Sequence, residues 1–100
     1  MVRHVVMWKF KDEVKPEEKE ALKKEMKNGL ESLRGKIEGL LKLEFVDQPL
    51  ETSTHEMALV TMHESKEALS VYANHKDHVH VADTYVRPYT KDRVSLDYQI

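Results

Sequence analysis

The sequence predicts an α+β fold in the order β-α-β-β-α-β: a four-stranded antiparallel sheet with its helices on one face. Three observations lead there. Four runs alternate apolar and polar residues with the two-residue period of a strand, and two runs space their apolar residues three and four apart, as helices do. The 100 residues also suit one domain, 1–100, with a single core.

Val2 to Phe10 reads as the first strand. Val2, His4, Val6, Trp8 and Phe10 share one parity, and Val5, Met7 and Lys9 share the other. Both sets are largely apolar, which suits a central strand covered on both faces. Lys11 to Lys15 is a polar connection, and Pro16 suits the first turn of a helix. Glu17, Glu18 and Glu20 stand where the helix dipole favours negative charge. Leu22, Met26, Leu30, Leu33 and Ile37 make one apolar stripe, which Gly35 and Gly39 bring to an end. Gly29 costs a helix interior roughly 1 kcal/mol relative to Ala, and close packing against a neighbour would account for it.

Leu40 to Val46 reads as the second strand, with Leu41, Leu43 and Phe45 alternating against Lys42 and Glu44. Asp47 to Ser53, with Pro49 inside it, is a turn-rich loop. His55 to His63 is the third strand, where His55, Met57, Leu59 and Thr61 oppose Glu56, Ala58, Val60 and Met62. Ser65 suits the N-cap of a helix that turns Ala68, Leu69, Val71 and Tyr72 inward. Val79, Ala82, Tyr85 and Val86 extend helical turns as far as Arg87, where Pro88 stops them. Arg93 to Tyr98 closes the chain as a fourth strand, with Val94, Leu96 and Tyr98 on one face and the polar Arg93, Ser95 and Asp97 on the other.

This arrangement is ferredoxin-like. One helical layer covers one sheet face, yet the first strand calls for two dry faces. In a chain this short the second cover is another copy of itself, so a homodimer through the sheet face is expected. Sixteen Lys and Arg against 18 Asp and Glu leave no cationic surplus, which argues against gripping nucleic acid. The lack of cysteine excludes disulfides, thiolate zinc sites and thiol catalysis. No stretch is long and apolar enough to cross a bilayer, and no membrane partner is expected. The N-terminal residues lack a signal peptide's layout, so a cytoplasmic location is expected.

The chemistry-bearing residues crowd between Tyr72 and His80, which hold three of the six histidines. On one unbroken helix, at about 100° per residue, Tyr72 and His78 diverge. For both to meet one small molecule the backbone must break near Asn74 to Asp77, and Asn and Asp are residue types that end or begin helices. His75, His78 and His80 do not offer the converging ligand set, commonly with a carboxylate or thiolate, that a transition metal wants, so no metal site is expected. His4 and His55 share the parity of apolar neighbours. In an antiparallel pairing they lie toward opposite ends, with His63 nearer to His4.

His4-Val5-Val6-Met7-Trp8-Lys9-Phe10-Lys11, Thr54-His55, Tyr72-x-x-His75-x-x-His78 and the closing Asp97-Tyr98 together resemble the stress-responsive A/B barrel (Dabb) domain family. The match runs over nearly the whole chain. It implies a dimeric α/β barrel of two ferredoxin-like halves, with no cofactor and, for most members, no assigned activity. A plant branch, the olivetolic acid cyclase-like enzymes, closes a linear polyketide by an intramolecular aldol step. Similarity to that branch implies His78 as general base and Tyr72 as the phenol that orients or protonates a substrate oxygen. Around a small aromatic or polyketide-like ligand, His4, Val6, Trp8, His55, Met57 and His75 are the expected contacts. Four functions stay open here: a small-molecule binder with its pocket between sheet and second helix, a cofactor-free cyclase, a monooxygenase on the same scaffold, and a purely structural dimer. Fold alone does not choose among them.

Overall fold

The computed structural model describes residues Met1–Ile100. Strands β1 (Val2–Phe10), β2 (Leu40–Val46), β3 (Met57–His63) and β4 (Thr90–Gln99) form one antiparallel sheet in the order β2-β3-β1-β4. Helices α1 (Lys19–Glu31), α2 (Lys66–Asn74) and α3 (Lys76–Val81) lie over one face of it. β1 is paired on both sides, so Val5 stands opposite Val60 in β3 and Leu96 in β4. Parity then decides burial. Val6, Trp8 and Phe10 are buried beneath the helices with Leu43, Phe45 and Leu59, whereas Met7, Val94, Leu96 and Tyr98 are exposed on the reverse face. The sheet therefore carries an uncovered apolar face. No helix is long and apolar enough to cross a membrane.

Several elements differ from the sequence-based expectation, each for a local reason. α1 is entered through a 3-10 turn at Pro16–Glu18 and ends at Glu31, before the glycines. The Ser32 hydroxyl donates to the Gly29 carbonyl at 2.6 Å and the Leu33 N–H bonds Leu30 O, tightening the chain into turns. Leu33 and Ile37 still reach the core, but from those turns. A register shift between Leu40 and Lys42 rotates Leu41 out to 45% exposure, while Leu43 and Phe45 keep the inward parity. β3 begins at Met57 and leaves out His55, because the Glu56 carboxylate takes the Phe10 N–H (2.8 Å) and the Lys19 ammonium (2.7 Å). Val71 faces solvent rather than the core. β4 starts three residues early at Thr90, whose hydroxyl is tied to the Val86 carbonyl at 2.9 Å.

Ser65 caps α2 as expected, its hydroxyl accepting the Ala68 N–H at 3.1 Å. A Cβ at Gly29 would lie 2.9 Å from the Tyr85 ring and 3.2 Å from Val81. The helix interior is thinned there so that α1 and the turns after α3 can touch.

Gly39 gives the most direct check on the packing of β2 against α2. It has φ +86°, and a Cβ on it would come within 2.6 Å of the Ala68 methyl. Gly35 has φ +75° and open space around it. Gly35→Ala is expected to cost about 1 kcal/mol, the left-handed backbone penalty alone. Gly39→Ala should cost roughly 2 kcal/mol more, because overpacking adds to the strain. Urea denaturation of both variants measures the difference, and equal losses would contradict the contact.

Candidate functional site

The site is made by a break in the helical layer. α2 stops at Asn74 and α3 starts at Lys76, with His75 between them in extended backbone (φ −65°, ψ 134°). The break falls where expected, but the cap differs. His75 Nδ1 accepts the Asp77 N–H at 3.1 Å, while Asn74 turns back to the Ser70 carbonyl. The chain thus changes direction between Tyr72 and His78, and their rings approach to 4.3 Å between centroids, tilted by 41°. His63, at the end of β3, also lies against Tyr72, at 4.9 Å between ring centroids. The two imidazoles and the phenol form one packed cluster.

Tyr72 and His78 border a cavity of about 250 Å³ between the sheet, α2 and the turns after α3, and His63 stands behind Tyr72 outside its lining. Val6, Trp8, Leu30 and Leu59 form its apolar wall, and His4, Arg87, Arg93, Ser95 and Asp97 bring polar groups to it. A larger hollow of about 710 Å³ lies on the uncovered sheet face and includes Val5, Val60 and Met62, without any histidine.

Each polar group has a definable state. A carbonyl can only accept, so His78 Nδ1 donates to Ala73 O (3.2 Å) and Nε2 holds the free lone pair. Burial lowers the His78 pKa, with the charges of Arg87, His4 and Arg93 acting in the same direction against the Ala73 bond. The neutral, basic form is therefore favoured near neutral pH. His4 Nδ1 is hydrogen-bonded to the Asp97 carboxylate, across the β1–β4 pairing that sets the two opposite each other. Burial drives the Tyr72 pKa up, which keeps the phenol protonated, and its hydroxyl has no hydrogen-bond partner. His63 is fully buried with Nε2 bonded to the Thr61 hydroxyl at 2.8 Å and Nδ1 unpartnered. Burial, then the His4 charge, lowers its pKa to about 4.

Of the residues expected at the site, the structure brings His4, Val6, Trp8, Tyr72 and His78 to one cavity. Three lie elsewhere. His55 precedes β3 and bonds Thr54 at 2.8 Å, Met57 is packed in the core opposite Trp8, and His75 is the helix cap. His80 adjoins a separate surface hollow with Glu25 and Asn28. No three His, Asp or Glu side chains gather in a metal-holding group. Sequence reasoning left Arg87, Arg93 and Asp97 out of the candidate set. The polar parity of the last strand was the available signal for two of them.

The family model for the stress responsive A/B barrel domain, Dabb, matches residues 2–100. A protein of unknown function from Bacteroides fragilis, described as dimeric with a ferredoxin-like fold, superposes with a TM-score of 0.89 at 27% identity, over 99% of this chain and 95% of that one. A protein from Arabidopsis thaliana superposes with a TM-score of 0.72 at 29% identity, over 100% and 95% of the two chains. A Dabb family protein from Mesorhizobium loti, with a ferredoxin-like fold, gives a TM-score of 0.74 at 20% identity over 99% and 95%. No curated protein matches. The chain belongs to the stress-responsive A/B barrel domain family.

His63 makes the site's electrostatics measurable through stability. Its pKa falls from 6.5 to about 4 on folding, so the unfolded chain binds the extra proton between those values. The contribution is fully present above pH 6.5 and is lost as pH falls toward 4. The unfolding free energy should drop by about 2 kcal/mol between neutral pH and pH 5 from this group alone. His63→Gln should flatten that slope in denaturant titrations, leaving the smaller His78 contribution. An unchanged slope would show that His63 does not titrate this way.

Proposed function

We propose that this A/B barrel domain is a homodimer that binds a small organic molecule in the cavity between its sheet and α2–α3. The observation that carries the proposal is the Tyr72 hydroxyl: buried, on a residue of the cavity wall, and without a partner. Leaving such a group unsatisfied costs about 1–3 kcal/mol, and buried polar groups are almost always paired. A ligand oxygen that accepts from the phenol, once a neighbouring side chain yields to admit it, removes the deficit. The apolar wall of Val6, Trp8, Leu30 and Leu59 supplies the contact area.

A second reading is favoured by the free Nε2 of His78 beside that phenol. In a cyclase-like step, the Nε2 lone pair takes a proton from the carbon next to a bound carbonyl. The Tyr72 hydroxyl donates to the carbonyl oxygen as it gains enolate charge, and the carbanion then attacks a second carbonyl of the same chain. The neutral state of His78 and the protonated state of Tyr72 suit those roles. His4, fixed by Asp97, stands on the same cavity as a further hydrogen-bonding group.

Dimerisation is supported by the uncovered face, where Met7, Val94, Leu96 and Tyr98 are exposed together, and by the dimeric state described for the Bacteroides fragilis relative. Two such faces packed together close the barrel and remove the apolar surface from water.

Tyr72→Phe separates the hydroxyl's role from its packing. In the free protein it should raise stability by about 1 kcal/mol, since an orphaned group is removed and the ring stays. In a thermal-shift screen of aromatic acids and polyketide-like ketones, the same variant should weaken binding several-fold. His78→Ala should abolish the hits and any exchange of α-protons for deuterium. Hits that both variants leave unchanged would exclude this cavity. Sedimentation should give a dimer, and Leu96→Glu, which places charge opposite Val5, should give a monomer. A stable wild-type monomer at micromolar concentration would overturn the barrel.

A further inference from the structure

The polar groups at the cavity are unequal in charge, and that imbalance bears on the kind of ligand it takes. Arg87 and Arg93 both line it, against one carboxylate, Asp97. Asp97 is already engaged by His4 Nδ1. Arg87 shares its charge with Asp83 one turn earlier. Arg93 has no carboxylate partner, and its only side-chain hydrogen bond is to the Ser95 hydroxyl at 3.5 Å, the limit of such a bond. A guanidinium is therefore left over where β4 meets the cavity. Its planar fork suits a carboxylate held through two parallel hydrogen bonds.

The backbone supports the same side of the cavity. Between α3 and β4 the chain makes a wide π-type turn over Ala82–Val86, closed by the Arg87 N–H on the Ala82 carbonyl. Such turns cost helix regularity and concentrate at functional sites. Here the turn carries Ala82, Val86 and Arg87 into the cavity wall together. The result is a polarised cavity, with Val6, Trp8, Leu30 and Leu59 on one part of the wall and the guanidiniums on another.

Resting on the small-molecule reading above, we infer that the ligand is a carboxylate with an apolar body, its anionic end held by Arg93 with help from Arg87. Both arginines are exposed, so water screens their charge. The expected preference for the anion is accordingly modest, roughly tenfold in affinity.

The test compares 4-butylbenzoate with its neutral amide, 4-butylbenzamide, by calorimetric titration of the full chain at low and high salt. The acid should bind roughly tenfold tighter at low salt, with the advantage shrinking as salt screens it. Arg93→Gln should bring the acid down to the amide's affinity and leave the amide unchanged. Arg87→Gln should have a smaller effect, because Asp83 already shares that charge. Equal or tighter binding of the amide would overturn the anion inference while leaving the cavity reading intact. Loss of the preference in Arg87→Gln but not in Arg93→Gln would overturn the assignment to Arg93. Binding of neither compound would count against both inference and reading. Circular dichroism of each variant keeps a folding defect from passing as a binding defect.

Discussion

The cavity depends on a single interrupted helix. Were α2 and α3 one rod, Tyr72 and His78 would point well apart, and the phenol would have only the core to face. His75 prevents this by adopting extended backbone and placing its own ring nitrogen on the Asp77 N–H. One of the amides left without a partner at a helix start is thereby satisfied, so the break costs less than an open one. The approach of His78 to Tyr72 follows from that change of direction. It adds the His78 ring to a phenol that His63 of β3 also touches, and the turns after α3 then run along the cavity to bring Arg87 to its wall.

The arrangement gives up stability at the candidate site. A domain of this size holds only about 5–15 kcal/mol of net stability, yet it buries two polar atoms without partners, Tyr72 Oη and His63 Nδ1. Both are side by side in the same ring cluster, and the rest of the core is conventional apolar packing around Met26, Leu30 and Leu59. Filling those positions with Phe and Leu would be the simple structural solution. Tyr72 stands on the cavity wall and His63 packs against it, and that placement, rather than scatter through the core, supports the ligand reading.

Much of the fold was legible because a sheet with one covered face writes itself as alternation. β1 and β2 were placed to the residue, and the remaining strands to within a few residues. The misses arose where a side chain overrode the backbone pattern: Ser32 cut α1 short, and Glu56 took an N–H that would have extended β3. Leu41 was misplaced because a bulge shifts parity without leaving a mark in composition. For the site, the family resemblance named Tyr72, His78 and His4, the expected helix break let the first two converge, and the parity of β1 placed Val6 and Trp8 on the same side as His4. His55 came in with the same resemblance, but β3 starts only at Met57 and leaves it outside the sheet. Arg87 was hidden for a different reason: its position depends on a π-type turn, and no sequence pattern distinguishes five wide residues from an ordinary helix end.

The central claim is that His78 offers an unprotonated Nε2 to the cavity beside a protonated phenol. Imidazole nitrogen NMR on protein labelled with nitrogen-15 at histidine tests it directly, read at neutral pH without ligand. The account predicts a neutral His78 with the proton on Nδ1 and a bare Nε2. A His78 imidazolium, or a proton found on Nε2, would contradict it.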